Sequence, residues 1–187
     1  VWCEKAIELV GRYLRRAVLN GMDLEARTHL ALAANYAGIG FGNAGVHLPH
    51  AVAYPIAGLV REFQPAGYPA GHPLVPHGMS VILTAPAAFR FTYPTAPDRR
   101  LRAAELLGVP VRDLDEARRP EALPRALVSL MRDTGIPNGL KAVGYTDGDI
   151  AALVEGTLQQ PRLLANSPRS VGARDLDAIV RSSMRIW

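Results

Sequence analysis

Four of the five histidines, His47, His50, His72 and His77, lie between Asn43 and Met79. The stretch around them, Thr28 to Phe89, carries only Arg61 and Glu62 as formal charges, although the chain has 21 basic and 17 acidic residues. Unpaired charge is rarely buried, so a charge-poor centre in a charge-rich chain reads as interior. Imidazoles grouped in such an interior need partners. A metal ion is one, since neutral imidazole is a good ligand for iron or zinc. His50 and His77 are the candidate metal pair, each at or near a predicted helix start. Two histidines fall short of a catalytic site, which takes three protein ligands or more. Further donors have to come from Glu62, from His47 or His72, or from outside the chain.

The other residues near this pair each admit a bland reading beside a functional one. Spacings of three and seven put His47, His50 and Tyr54 on one side of a helix. His47 then either supports His50 or packs, and packing is the simpler reading. Tyr54 either directs its hydroxyl to the same cavity or is a core aromatic bonded to backbone. His72 sits in a loop, where it faces either substrate or solvent. Asn43 reads most simply as a helix cap. Gly40-Phe-Gly-Asn-Ala-Gly45 matches G-x-G-x-x-G, but it follows an Ala-rich helical segment where a dinucleotide site needs a strand. It reads instead as a Gly-rich break between two closely packed helices.

The elements that must position these groups are helical. Apolar residues make up 49% of the 187, mostly Ala, Leu and Val, and aromatics only 6%, a composition that suits an all-α fold better than a strand-rich one. The periodicity and capping signals predict helices over 1–20, 26–37 (capped by Asp23), 46–60, 76–89, 98–107, 121–132, from Thr146 to about Thr157 with a capping box to Asp149, and 173–186. Residues 62–75, with three prolines and two glycines, read as a site-lining loop. The length fits one domain.

A net charge of +4 and a pI near 9.6 come from dispersed arginines. No basic run interleaves with aromatics, which argues against a nucleic-acid partner. The doublets Arg15-Arg16, Arg99-Arg100 and Arg118-Arg119 read as solvated helix faces. The lone Cys3 excludes a disulfide framework and favours a reducing compartment, cytoplasmic or, in a eukaryote, the mitochondrial matrix. The charge-free stretch is interrupted by glycines, Pro49 and Pro55, so it reads as buried core and not as a membrane span. Val1 opens inside an amphipathic pattern, as in a piece of a longer protein.

Gly40-Phe-Gly-Asn-Ala-Gly-Val-His-Leu-Pro-His-Ala-Val-Ala-Tyr-Pro-Ile-Ala-Gly58 and His72-Pro-Leu-Val-Pro-His-Gly-Met-Ser80 together resemble the metal-binding region of the iron-containing alcohol dehydrogenases, in particular the hydroxyacid–oxoacid transhydrogenase branch. Ala103–Gly108, Gly139–Tyr145 and Ile150–Leu158 fit as well. The resemblance implies the C-terminal all-helical domain of the dehydroquinate synthase-like fold over residues 1–187, with the N-terminal α/β domain that binds NAD missing from this chain. One Asp and three His hold the ion in that family. The last two histidines map to His50 and His77, and the Asp and first His are expected just upstream of Val1. The implied metal is Fe2+, with Zn2+ as the alternative. Where many relatives carry a further histidine one turn after the third ligand, this chain has Tyr54, which is then the candidate catalytic side chain, with Asn43, His47 and His72 as pocket or supporting residues. The implied reaction is hydride transfer between a hydroxyacid such as 4-hydroxybutyrate and a nicotinamide, reoxidised by an oxoacid such as 2-oxoglutarate. Dehydrogenation of simple alcohols, or a non-catalytic helical fragment, are the alternatives. The partners are then small-molecule acids, with no nucleic acid and no membrane, and the full-length protein is expected to be a homo-oligomer. The isolated chain, with two donors of four, is expected to be inactive.

Overall fold

A computed structural model describes residues 1–69 and 71–187. In chain order its helices are α1 (Trp2–Leu19), α2 (Leu24–Ala44), α3 (Leu48–Gly58), α4 (His77–Ile82), α5 (Ala85–Thr92), α6 (Pro97–Leu106), α7 (Ala122–Asp133), α8 (Ile150–Leu158), α9 (Pro161–Ala165) and α10 (Ala173–Met184), with short 3-10 turns between some of them. No strand occurs among the described residues, as an all-α composition requires. None of these helices is long and apolar enough to cross a membrane. The helices gather into two compact units: Val1–Gly45 with Ala96–Gly135, and Val46–Thr95 with Ile136–Trp187.

The first unit pairs α1 with α2 and packs α6 and α7 beside them. Ala6 and Leu9 are the buried face of α1. Asp23 caps α2 as its position predicts, its carboxylate accepting from Ala26 N at 2.9 Å. Arg15 and Arg16 are less free than a solvated face implies. The first pairs with Asp133 at 2.7 Å and the second with Asp23 and Glu25, all on the outside of the molecule.

Two expectations about α2 fail. Glycines at 38, 40 and 42 do not end it at Ala37, and the helix continues to Ala44. Each glycine costs a helix about 0.5–1 kcal/mol relative to alanine, which a long Ala-rich helix tolerates. One of the three also faces α1 closely, since a Cβ on Gly40 would lie 2.2 Å from Cys3 Sγ, which would have to turn aside. Nor is α2 interior. Only Ala26 and Ala33 are buried, while Leu32, Ile39 and Phe41 are exposed.

The second unit is built around α3. Leu48, Pro49, Ala51, Val52, Ala53, Pro55 and Ile56 are all buried, because α4, α5, α8 and α9 pack around the helix. Here the charge-poor sequence does mean interior along α3, but not at the candidate pair, where His50 is half-buried and His77 is exposed. The predicted single helix over 76–89 is two, α4 and α5, broken at Leu83 and Thr84. Pro86 is the cause: it has no N–H to continue the ladder of α4 and is tolerated only in the first turn of a new helix. The Thr146–Asp149 capping box forms, with Asp149 Oδ2 accepting from Thr146 N at 2.7 Å, and it opens α8 after a 3-10 turn. Leu176, Ile179, Val180 and Met184 are the buried face of α10, as their spacing predicts.

Candidate metal centre

Three contacts help hold α3 in its unit. At its start, Asn166 Nδ2 donates to Val46 O at 3.1 Å. Near its end, the buried Tyr145 hydroxyl donates to Ile56 O. Between them, Gly156 of α8 lies so close to Pro55 that a Cβ there would come within 2.7 Å of the proline Cβ. Tyr145 is braced in turn by Arg61, whose guanidinium lies 5.8 Å from the ring centre and forms a bidentate pair with Asp149 at 2.7 and 2.9 Å. Burial pushes the Tyr145 phenol up to about 12, the dominant effect against the opposing pull of Arg61. Hydrogen bonds from Arg61, then from Thr146, hold the Asp149 carboxyl well below the usual range.

His50 rises from the first turn of α3, where its N–H bonds His47 O at 2.8 Å. His77 is the first residue of α4, set by Pro76 at the cap position. The buried Ser80 hydroxyl pins that turn by donating to Val75 O at 3.1 Å and Pro76 O at 3.2 Å. The two imidazole rings, 27 positions apart in sequence, come together with centres 5.4 Å apart and planes inclined by 58°. A metal about 2.1 Å from one nitrogen of each ring, at a bond angle of about 90–109°, leaves the centres roughly 4.5–5.2 Å apart. The observed 5.4 Å lies just beyond that range. Burial, and after it the neighbouring His77, lowers the pKa of His50, so the neutral ring with a free lone pair is the favoured form. The donor set fits a cation that accepts imidazole nitrogen.

The remaining predicted residues divide. Tyr54, one turn beyond His50, is 52% exposed, so it is not a core aromatic. His47 takes the cap position of α3 and sets its ring edge-on to Phe89, 6.1 Å between centres, the packing role its spacing allows. His72 is exposed in the loop. Asn43 does not cap a helix, and its Nδ2 donates to Ile39 O inside α2 at 2.8 Å. No group of three or more His, Cys, Asp or Glu converges among the described residues. Neither His47, His72 nor Glu62 therefore completes a ligand set with the pair.

Outside the site, His29 stacks on Tyr13 with centres 4.2 Å apart, and Cys3 is a free, exposed thiol. Sequence reasoning missed Tyr145, Gly156 and Asn166. They bear on the site only through long-range contacts with α3, which leave no local signal.

A profile described as the Fe-containing alcohol dehydrogenase family, C-terminal, matches residues 1–184. This chain belongs to that family. Within the Fe-containing alcohol dehydrogenases, it is 46% identical over its whole length to a protein named hydroxyacid-oxoacid transhydrogenase, mitochondrial, of Bos taurus. It is equally similar, at 46%, to the protein of that name in Homo sapiens. In both cases it spans 40% of the relative's length. Its fold is similar to that of an alcohol dehydrogenase from Oenococcus oeni, with a TM-score of 0.85 and 28% identity over 97% of this chain and 44% of that one.

Proposed function

We propose that these 187 residues form the helical, metal-holding part of a longer oxidoreductase that moves hydride between a hydroxyacid and a nicotinamide or oxoacid acceptor. The observation that carries this reading is the convergence of His50 and His77, with ring centres 5.4 Å apart, in a chain of this family. The similarity to two relatives named hydroxyacid-oxoacid transhydrogenase supports the substrate class.

In this reading His50 and His77 supply two nitrogens to the ion, and the other donors come from outside these residues. Imidazole suits both Fe2+ and Zn2+, and the family name favours iron. When bound, the cation supplies Lewis acidity toward a substrate hydroxyl or carbonyl oxygen. The chain's own residues do the rest. Pro76 and Ser80 fix the backbone under His77, and the first turn of α3 fixes that under His50, so the two donors are preorganised. The buried residues of α3 anchor the helix that carries His50, while His77 stands exposed at the start of α4. Tyr54 presents a phenol one turn from His50 and is the group assigned to the substrate side. Oxidation then releases a hydride to the nicotinamide and a proton to solvent, leaving a carbonyl. NAD is held mainly by the part of the enzyme outside this chain. The mitochondrial names of the two relatives favour a matrix location if the source is a eukaryote.

The test is the metal content of the full-length, dialysed enzyme. His50→Ala and His77→Ala are each expected to lower bound iron or zinc by more than the roughly 10- to 100-fold affinity loss typical of outer-shell changes. Unchanged metal in both variants would overturn the assignment. In the same preparation, 4-hydroxybutyrate oxidation that depends on added 2-oxoglutarate, without added NAD, separates transhydrogenation from simple alcohol oxidation.

A further inference from the structure

Helices α1 and α2 run antiparallel. Tyr13 stacks on His29 toward the turn that joins them. At the far end Trp2 tilts against Tyr36, with ring centres 5.4 Å apart, and Cys3 lies beside Gly40. Residues 41–44 of α2 therefore reach to or past the start of α1, and every one of them is exposed. Trp2, Ile39 and Phe41, at 49%, 43% and 52% exposure, gather at this end. From Thr28 to Ala44 the helix carries no Asp, Glu, Lys or Arg, and Asn43 turns its amide back to Ile39 O at 2.8 Å. A solvent-facing helix sets charged and polar residues outward. The turn end of the same pair shows that pattern: Leu19, Met22 and Leu24 are more exposed still, but Arg16 pairs with Asp23 and Glu25 among them. The far end has aromatic and aliphatic surface without any such charge, the mark of a contact surface.

We propose that this end of the α1–α2 pair is an internal interface of the full-length protein, covered by an uncharged, apolar segment of the polypeptide that precedes Val1. Two observations choose that occupant. The chain spans 40% of the length of the relatives it matches, so a protein of their length has more residues to pack than these 187. Residues joined to Val1 also emerge at the patch itself, beside Trp2, and need no linker to reach Ile39 and Phe41. A charged partner would lose hydration there and find no opposite charge on α2 from Thr28 onward. The inference rests on the longer-enzyme part of the reading above and not on the substrate.

The experiment measures thiol alkylation by iodoacetamide, peptide by peptide, in the native full-length protein carrying Phe41→Cys, Ile39→Cys or Met22→Cys. Each rate is divided by that of the same variant unfolded in urea. The expected result is Met22→Cys near its unfolded rate and the other two slowed about 100-fold or more, because reaction there then needs local opening. Circular dichroism checks the fold, and the second position keeps the test alive if one variant fails to fold. Phe41→Cys and Ile39→Cys reacting as fast as Met22→Cys in folded protein overturns the proposal. A photo-cross-linker, Phe41→p-benzoylphenylalanine, then identifies the cover. Irradiation should join position 41 to peptides that precede Val1, in a product that keeps the mass of one chain on a denaturing gel. A dimer band assigns the face to a second copy, and cross-links to residues 46–187 assign it to the other unit of this chain; either overturns the proposal. Neither readout uses turnover, so failure here leaves the hydroxyacid reading standing.

Discussion

Helices α2 and α3 are neighbours in sequence, both rich in small apolar residues and poor in charge, yet they have opposite fates. In α3 seven of eleven residues are buried, and in α2 only two of twenty-one. The difference lies in company, not composition. Four helices of its unit surround α3, whereas α2 packs within its unit chiefly on α1. Absence of charge permits burial, but neighbours decide it.

The comparison predicts unequal penalties. Ile56→Ala in α3, at a fully buried site, should cost about 2–5 kcal/mol by loss of transfer energy and creation of a cavity. Leu32→Ala in α2, already 40% exposed, should cost well under that, about 1 kcal/mol or less. Denaturant unfolding of the two variants measures both, and equal losses would break the contrast.

A narrower test concerns what ties α3 in place. Tyr145→Phe removes the donor to Ile56 O and leaves that acceptor unsatisfied, a loss of about 1–3 kcal/mol. Its proton is linked to folding. The folded phenol titrates at about 12, above its ordinary value near 10, so the folded state holds the proton more tightly. That contribution is complete below pH 10 and is lost as the pH rises toward 12. Ultraviolet titration should therefore show one late-ionising tyrosine in the wild type that is absent from Tyr145→Phe.

The smallest effect sharpens the glycine argument. Gly38 of α2 has open space where a Cβ would go, and Gly156 of α8 does not. Gly38→Ala should stabilise by about 0.5–1 kcal/mol, while Gly156→Ala should destabilise by about 1–3 kcal/mol through overpacking against Pro55. Thermal melts that moved in the same direction would refute the distinction.

These contrasts also show which features were legible in the sequence. The amphipathic faces of α1 and α10, the Asp23 cap and the Thr146–Asp149 box are local patterns, and the structure reproduces them. His50 and His77 stand out because unpaired polar groups in an apolar stretch are conspicuous, and the rings do meet. The course of α2 through Gly38, Gly40 and Gly42 was hidden. The close approach at Gly40 comes from Cys3 on another helix, which no window of sequence contains. Asn43 was misread for the same reason, since a cap signal assumed a helix end that lies beyond it.

The three ties named above land on main chain or on proline: the carbonyls of Val46 and Ile56, and the ring of Pro55. None uses the side chains at 50 or 54. The scaffold and the reactive surface are thus specified by different atoms, and evolution can rewrite one without loosening the other. A lineage that exchanged Tyr54 for another group would inherit the same rigid beam, ready for a different reaction.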